Sequence, residues 1–161
     1  MDKVKPDKWG LSNSIKQLKS EATQELKIYE GTAQEWWNNN KTVIDGNEYL
    51  QIKDYNGRTW TMTKQGFDVH TSNIYKKREY RTQYLDAIKD IMQNPDEVWI
   101  SRTINDIANN KKTLNYYTMI KYFKGEAMGV YCQITPEKLV FNTWFPIKDK
   151  GVRSGLLIKK K

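Results

Sequence analysis

The sequence predicts an α+β fold, with N-terminal helices followed by a twisted antiparallel sheet that has a helix packed on it. Three observations predict it. Apolar residues recur at three- and four-residue steps in two stretches, 11–30 and about 75–93, the period of amphipathic helices. Short runs rich in Thr, Tyr, Trp, Val and Ile are separated by tight-turn pairs at Asp45-Gly46, Asn56-Gly57 and Gly125-Glu126. The order of helices, strands, helix and strands segregates the element types, which favours an antiparallel sheet. A length of 161 residues suits one domain, or one domain plus an appendage. The change in texture near residue 40 divides the chain into an N-terminal helical segment, 1–40, and a second unit, 41–161.

The first helix is expected over 11–30. Leu11, Ile15, Leu18, Ala22, Leu26 and Tyr29 form its stripe, Ser12 or Asn13 caps it, and Gly31 breaks it. A short helix over 32–40 carries Trp36 and Trp37. The runs 41–44, 48–53 and 58–63 then read as a three-stranded meander around the two turn pairs. Gly66 to Thr71 reads as a loop or short extended piece holding His70. Thr71 or Ser72 caps the next helix, whose stripe of Tyr84, Leu85, Ile88, Ile91 and Met92 stops at Asn94-Pro95. Extended backward, that stripe reaches Arg81 and Arg78, which either reach toward a ligand at the sheet edge or snorkel to water. Glu97 to Ser101 is a short strand, 102–113 a polar loop, and 115–123, 127–134 and 138–145 are antiparallel strands with short loops. A glycine-flanked Arg153 and a last short strand or turn end the chain.

Composition excludes several chemistries. The single cysteine, Cys132, cannot form an internal disulfide or a thiolate zinc site, and the single histidine, His70, cannot build a conventional metallohydrolase centre. No stretch has the roughly 18 to 20 apolar residues of a membrane span, and the N-terminus carries no apolar signal run. The expectation is a cytoplasmic protein with no membrane association, no cofactor and no bound metal. Residues 1–110 hold sixteen basic and sixteen acidic side chains, whereas 111–161 hold eleven basic and three acidic, so the net charge of +8 lies in the last third. Tyr116, Tyr117, Tyr122, Phe123, Tyr131, Phe141, Trp144 and Phe145 interleave with those cations. Cations that meet phosphates and rings that stack on bases suit RNA, and a solvated basic face over an aromatic core is the plainer alternative.

The second half carries a set of short motifs in a fixed order. A segment containing His70 precedes Arg81-Thr82-Gln83-Tyr84-Leu85. Asn94-Pro95-Asp96-Glu97-Val98-Trp99 and a Tyr-rich strand follow, then Asn142-Thr143-Trp144-Phe145 and Arg153-Ser154-Gly155-Leu156-Leu157. Over residues 58–158 this order resembles the phage-associated barnase–EndoU–colicin–RelE-like nuclease domains, found at the C-terminus of MuF-like phage head-morphogenesis proteins and in polymorphic toxins. The resemblance implies a barnase/RelE-like fold, with one or two helices on a twisted antiparallel sheet of about four strands. It also implies a toxin-type, metal-independent ribonuclease of phage or prophage origin, with a cognate inhibitor or immunity protein as partner. A non-catalytic nucleic-acid-binding or phage structural domain of the same fold is the alternative.

Metal-free RNA cleavage needs a base for the 2′-hydroxyl, cations for the phosphorane and an acid for the leaving oxygen. His70 is the one side chain that ordinarily titrates near neutrality, and so is the candidate base or acid. Arg81 and Arg153 are candidates for the scissile phosphate, since a guanidinium fork matches two phosphate oxygens. Thr143, alternating with Trp144 on a strand, offers a hydroxyl to the same phosphate. His70, Arg81, Thr143 and Arg153 form the expected catalytic set. Arg78, Tyr117, Lys121 and Trp144 form the expected substrate contacts, Tyr117 and Lys121 sharing one strand face. Glu97 is an alternative base or simply a strand start, and Cys132 reads as core.

Overall fold

The computed structural model describes residues 14–72, 79–102, 115–148 and 152–159. Eight strands form one sheet: β1 (Thr42–Ile44), β2 (Asn47–Lys53), β3 (Thr59–Thr63), β4 (Glu97–Ser101), β5 (Tyr116–Phe123), β6 (Glu126–Ile134), β7 (Leu139–Pro146) and β8 (Leu156–Lys159). Their order is β1-β2-β3-β7-β6-β5-β4-β8. Helices α1 (Ile15–Glu21), α2 (Ala33–Asn40) and α3 (Lys64–Thr71), a 3₁₀ helix (Glu79–Ala87) and α4 (Ile88–Gln93) cover it. The α+β class holds, and the meander and the β5-β6-β7 run are antiparallel as expected. The sheet as a whole is mixed, because β3 lies parallel to β7 through the single pair Thr61↔Val140.

Turn chemistry fixes the meander. Asp45 and Gly46 both take positive φ, 51° and 79°, as a two-residue hairpin of this hand requires. Between β2 and β3 the buried Asp54 carboxylate accepts from the Asn56 and Arg58 backbone amides and from the Trp60 indole at 2.7 Å. Strand β5 is buried along nearly its whole length because both faces of the sheet are covered there. Tyr117, Met119 and Phe123 join one core cluster beneath α2, α3 and α4, while Ile120 and Tyr122 join a second cluster beneath α1.

Three elements differ from expectation, each for a physical reason. The stripe predicted over 11–30 as one helix is helical only over Ile15–Glu21 within the described residues. Beyond Ala22 the chain crosses from one face of the sheet to the other. Leu18 and Ala22 pack in the second cluster, while Leu26 and Tyr29 pack against the first. The crossing segment bonds outward instead of to itself, through Lys124 N–H to Gln24 O and Tyr29 N–H to Gln83 O, both 2.9 Å. The segment around His70, expected as a loop, is helix α3. The Thr63 hydroxyl caps it by accepting from Gly66 N–H, and burial of Phe67 outweighs the helix cost of Gly66. The helix expected over 75–93 is 3₁₀ as far as Ala87, and residues 73–78 lie outside the described set. Its carbonyls at Arg81 and Gln83 accept from the Trp144 indole and from Tyr29 N–H, so outside donors compete with the α-helical ladder.

Residues 14–40 pack into the same interior as the rest. Trp36 and Trp37 belong to the first core cluster, stacking on or tilting against Phe67 at 5.8 and 4.8 Å. Their indoles donate to Asp86 at 3.1 Å and Glu48 at 2.6 Å.

Candidate active site

Three of the expected residues meet. Arg81 Nη1 donates to Thr143 Oγ1 at 2.5 Å and lies 3.4 Å from His70 Nδ1, and Thr143 Oγ1 is also 3.4 Å from that nitrogen. All three side chains are half-buried. They come from α3, the 3₁₀ helix and β7, separated by up to 73 positions in sequence.

Each is held from behind. His70 stands three residues from Phe67, which is fully buried against Trp36, Trp37 and Trp144, and its own ring meets the Trp144 ring edge-on at 6.0 Å. Arg81 is fixed at its backbone, where its carbonyl accepts from Trp144 Nε1 at 2.9 Å. Thr143 lies at an irregularity in β7. Tyr131 pairs with Thr143 but Cys132 pairs with Phe141, so Asn142 is an extra residue in the ladder. The bulge resets the alternation, and Phe141 and Trp144, three positions apart, both enter the first core cluster. Trp144 is therefore fully buried and positions Arg81. Its ring is not presented for stacking on a base.

Guanidinium nitrogens only donate, so the Arg81 contact makes His70 Nδ1 the acceptor and favours the proton on Nε2 in the neutral ring. Among the described residues the partners of the Arg81 guanidinium are a hydroxyl, Thr143, an imidazole, His70, and the Tyr80 phenol, 3.5 Å from Nε. Among the described residues no carboxylate pairs with it. A half-buried cation beside a hydroxyl and an imidazole is suited to an anion with several oxygens. Tyr80, exposed at 45%, joins the rim of this site, and sequence reasoning missed it. Its adjacency to Arg81 was the only signal.

Arg153 is elsewhere. Its guanidinium is 3% exposed and closes on Glu97, Nε to Oε1 at 2.9 Å and Nη2 to Oε2 at 2.5 Å. Glu97 also accepts from Trp99 Nε1 at 3.0 Å and Tyr122 OH at 2.8 Å. Burial by itself would lower the arginine's pKa, and the Glu97 carboxylate reverses this and leaves it above the ordinary value. Burial first, and the Glu97 charge second, push the Tyr122 phenol well above its usual range. The fork expected to grip phosphate is filled by a carboxylate, and the carboxylate considered as an alternative base is saturated with donors.

The expected substrate contacts on β5 face inward. Tyr117 tilts against Trp60 at 5.5 Å, with the Arg58 guanidinium 4.9 Å from its ring centre. Lys121 donates to the carbonyl of Asn94, the C-cap of α4, at 2.9 Å and lies 3.8 Å from Asp90 in the first turn of that helix. The two share a face as expected, but that face is core. Arg78 lies outside the described residues. Cys132 is fully buried in the first cluster, and burial raises its thiol well above the ordinary pKa. Among the described cations of the last third, Lys121, Arg153 and Lys159 are bonded to protein groups.

Residues 38–159 match the family described as phage-Barnase-EndoU-ColicinE5/D-RelE like nuclease 2, and the chain belongs to it. No match was found among curated proteins or among solved structures. The match begins inside α2 and spans every strand of the sheet and all three residues of the cluster. Among the described residues no helix is long and apolar enough to cross a membrane, and no group of three His, Cys, Asp or Glu side chains gathers as a metal site would require.

Proposed function

From membership of a nuclease family and the meeting of three side chains at one point, we propose that the protein is a metal-independent endoribonuclease acting through His70, Arg81 and Thr143. The observation that carries the reading is the Arg81–Thr143–His70 cluster, with an arginine that no carboxylate pairs among the described residues. In the proposed reaction the scissile phosphate enters beside Arg81 and takes over its contact with His70. Nδ1, released from the guanidinium, accepts the proton of the 2′-hydroxyl as that oxygen bonds to phosphorus. Arg81 and the Thr143 hydroxyl donate to the non-bridging oxygens as charge builds on them. The bond from phosphorus to the 5′-oxygen breaks, and that oxygen takes a proton from the Tyr80 hydroxyl, which adjoins a different nitrogen of the same guanidinium. The products are a 2′,3′-cyclic phosphate and a free 5′-hydroxyl. DNA lacks the nucleophile and survives.

The test is incubation with single-stranded RNA in EDTA, followed by end-group analysis. The expected result is cyclic phosphate ends from the wild-type protein and a rate lowered roughly 10²–10⁴-fold by His70→Ala. A requirement for added magnesium, equal cleavage of DNA, or full activity after His70→Ala would overturn the mechanism. On the same reading the protein is a toxin of phage or prophage origin acting on the host's RNA in the cytoplasm, restrained by a cognate inhibitor. Expression of the intact chain alone then arrests growth, and the His70→Ala chain does not.

A further inference from the structure

We propose that the cavity between β3, β7 and the first turn of α3 is a base subsite that holds one unpaired nucleobase beside the scissile phosphate. The proposal rests on the RNA-cleaving reading above and adds the recognition step to it.

The cavity exists because β3 and β7 part company. They pair only at Thr61↔Val140, and both residues line the opening that follows. Its volume is about 300 Å³, at the lower end of the range for small-molecule pockets and suited to a single nucleoside rather than a stacked run. The floor is apolar, formed by the buried side chains of Met62 and Phe141. The wall carries Tyr49 and the hydroxyl-bearing Thr61 and Thr63, with the exposed Lys138 at the rim. An apolar floor with an aromatic and a few hydrogen-bonding groups is what splayed-out bases of single-stranded RNA require.

Two walls of the cavity lead directly to the catalytic cluster. On the strand side Asn142 lines the cavity and the next residue is Thr143, about 3.8 Å on by Cα spacing. On the helix side Gly66 lines the cavity, and His70 is one turn further along the same face of α3, a rise of about 6 Å. One nucleotide can therefore set its base in the cavity and its phosphate at Arg81. Gly66 has no positive φ that would demand glycine, and a Cβ there would press on the Thr63 hydroxyl at 3.3 Å, at the cavity wall. The backbone is left bare where the ligand would pass.

The experiment measures kcat/KM on short single-stranded RNAs varied one base at a time around a single cleavable bond, together with one substrate that is abasic at the preferred position. The wild-type protein, Thr61→Phe, which fills the cavity with a residue suited to a strand, and Lys138→Ala, which removes the rim cation, are compared. The expected result is a preference of roughly tenfold or more at one position, the scale of a single base contact. Thr61→Phe flattens that preference and loses at least tenfold on the preferred RNA, so that it cleaves the preferred and the abasic substrates at similar rates, whereas the wild type does not. Lys138→Ala shows a smaller loss. Retention of the full base preference by Thr61→Phe, with cleavage intact, would overturn the subsite and leave the nuclease reading standing. If the wild type cleaves no RNA, titration of the His70→Ala protein with the four nucleoside monophosphates, followed at the Gly66 and Asn142 amides, decides the cavity separately. Shifts confined to the cavity support it, and their absence overturns it.

Discussion

Two arginines that look alike in the sequence sit in opposite environments. Arg153 is buried with the Nε–Nη2 edge of its guanidinium on Glu97, which also accepts from Trp99 and Tyr122, so donors and acceptors cancel inside the protein. Arg81 is half-buried and, among the described residues, bonds to a hydroxyl, an imidazole and a phenol, so its charge stays uncompensated by any described carboxylate. A guanidinium closed on a carboxylate ties strands together, whereas one resting on neutral groups can attract a phosphate. The Arg153 network joins β4, β5 and the segment entering β8, whereas the Arg81 cluster joins α3, the 3₁₀ helix and β7. One region holds the sheet, and the other is positioned by it.

The largest expected effects separate the two by what they damage. His70→Ala lowers the cleavage rate roughly 10²–10⁴-fold, and Arg81→Ala costs a comparable 10²–10³ through lost stabilisation of the phosphorane. Both variants keep the wild-type unfolding midpoint, because neither side chain fills the core. Arg153→Ala does the opposite. It strands a buried carboxylate and destabilises the fold by about 3–5 kcal/mol, a fall in Tm on the order of 10 °C. Thermal unfolding followed by circular dichroism checks both statements. Wild-type stability in Arg153→Ala would break the comparison.

A smaller effect sharpens it. Burial and the Glu97 charge hold the Tyr122 phenol above its ordinary pKa, so the folded protein keeps a proton that the unfolded chain releases. Its contribution to stability is complete below about pH 10, the unfolded value, and declines as the pH rises beyond it. Tyr122→Phe should cost about 1 kcal/mol at neutral pH for the lost hydrogen bond. It should also flatten the alkaline loss of stability in denaturant titrations between about pH 9 and 11. Part of the slope remains, since burial also raises Tyr55, Tyr84 and Tyr116. An unchanged slope would show that Tyr122 ionises as readily folded as unfolded.

The smallest effect concerns binding. With catalysis removed by His70→Ala, a further Arg81→Ala change should reduce the slope of log affinity against log salt by about one phosphate contact. Lys121→Met should leave that slope unaltered, because its ammonium is committed to Asn94 and Asp90.

The sequence made most of the sheet legible. Asp45-Gly46 and Asn56-Gly57 announce their turns because few residues take positive φ, and both turns stand where they were expected. The chain's reach across the sheet was not legible. The 11–30 stripe has helical spacing, yet its two halves serve different core clusters, and periodicity carries no information about which face each half meets. The glycines beside Arg153 misled for a related reason. Gly155 takes φ +90°, and a Cβ there would lie 2.1 Å from Ile100 O, so the close approach it permits is to β4 and not to a ligand. His70, Arg81 and Thr143 could be named because their residue types and order match a family pattern. The parallel β3–β7 contact and the bulge at Asn142, which bring them together, depend on long-range pairing that no local signal encodes.

The most direct test compares two single variants, Arg81→Ala and Arg153→Ala, by measuring RNA cleavage in EDTA and the unfolding midpoint on the same preparations. The expected result is a crossed pattern: Arg81→Ala folds like the wild type and cleaves at least a hundredfold more slowly, while Arg153→Ala melts earlier and, held well below its midpoint, cleaves within a few-fold of the wild type. Full cleavage by Arg81→Ala, or a stable Arg153→Ala protein that has lost cleavage, would contradict the assignment of the two arginines.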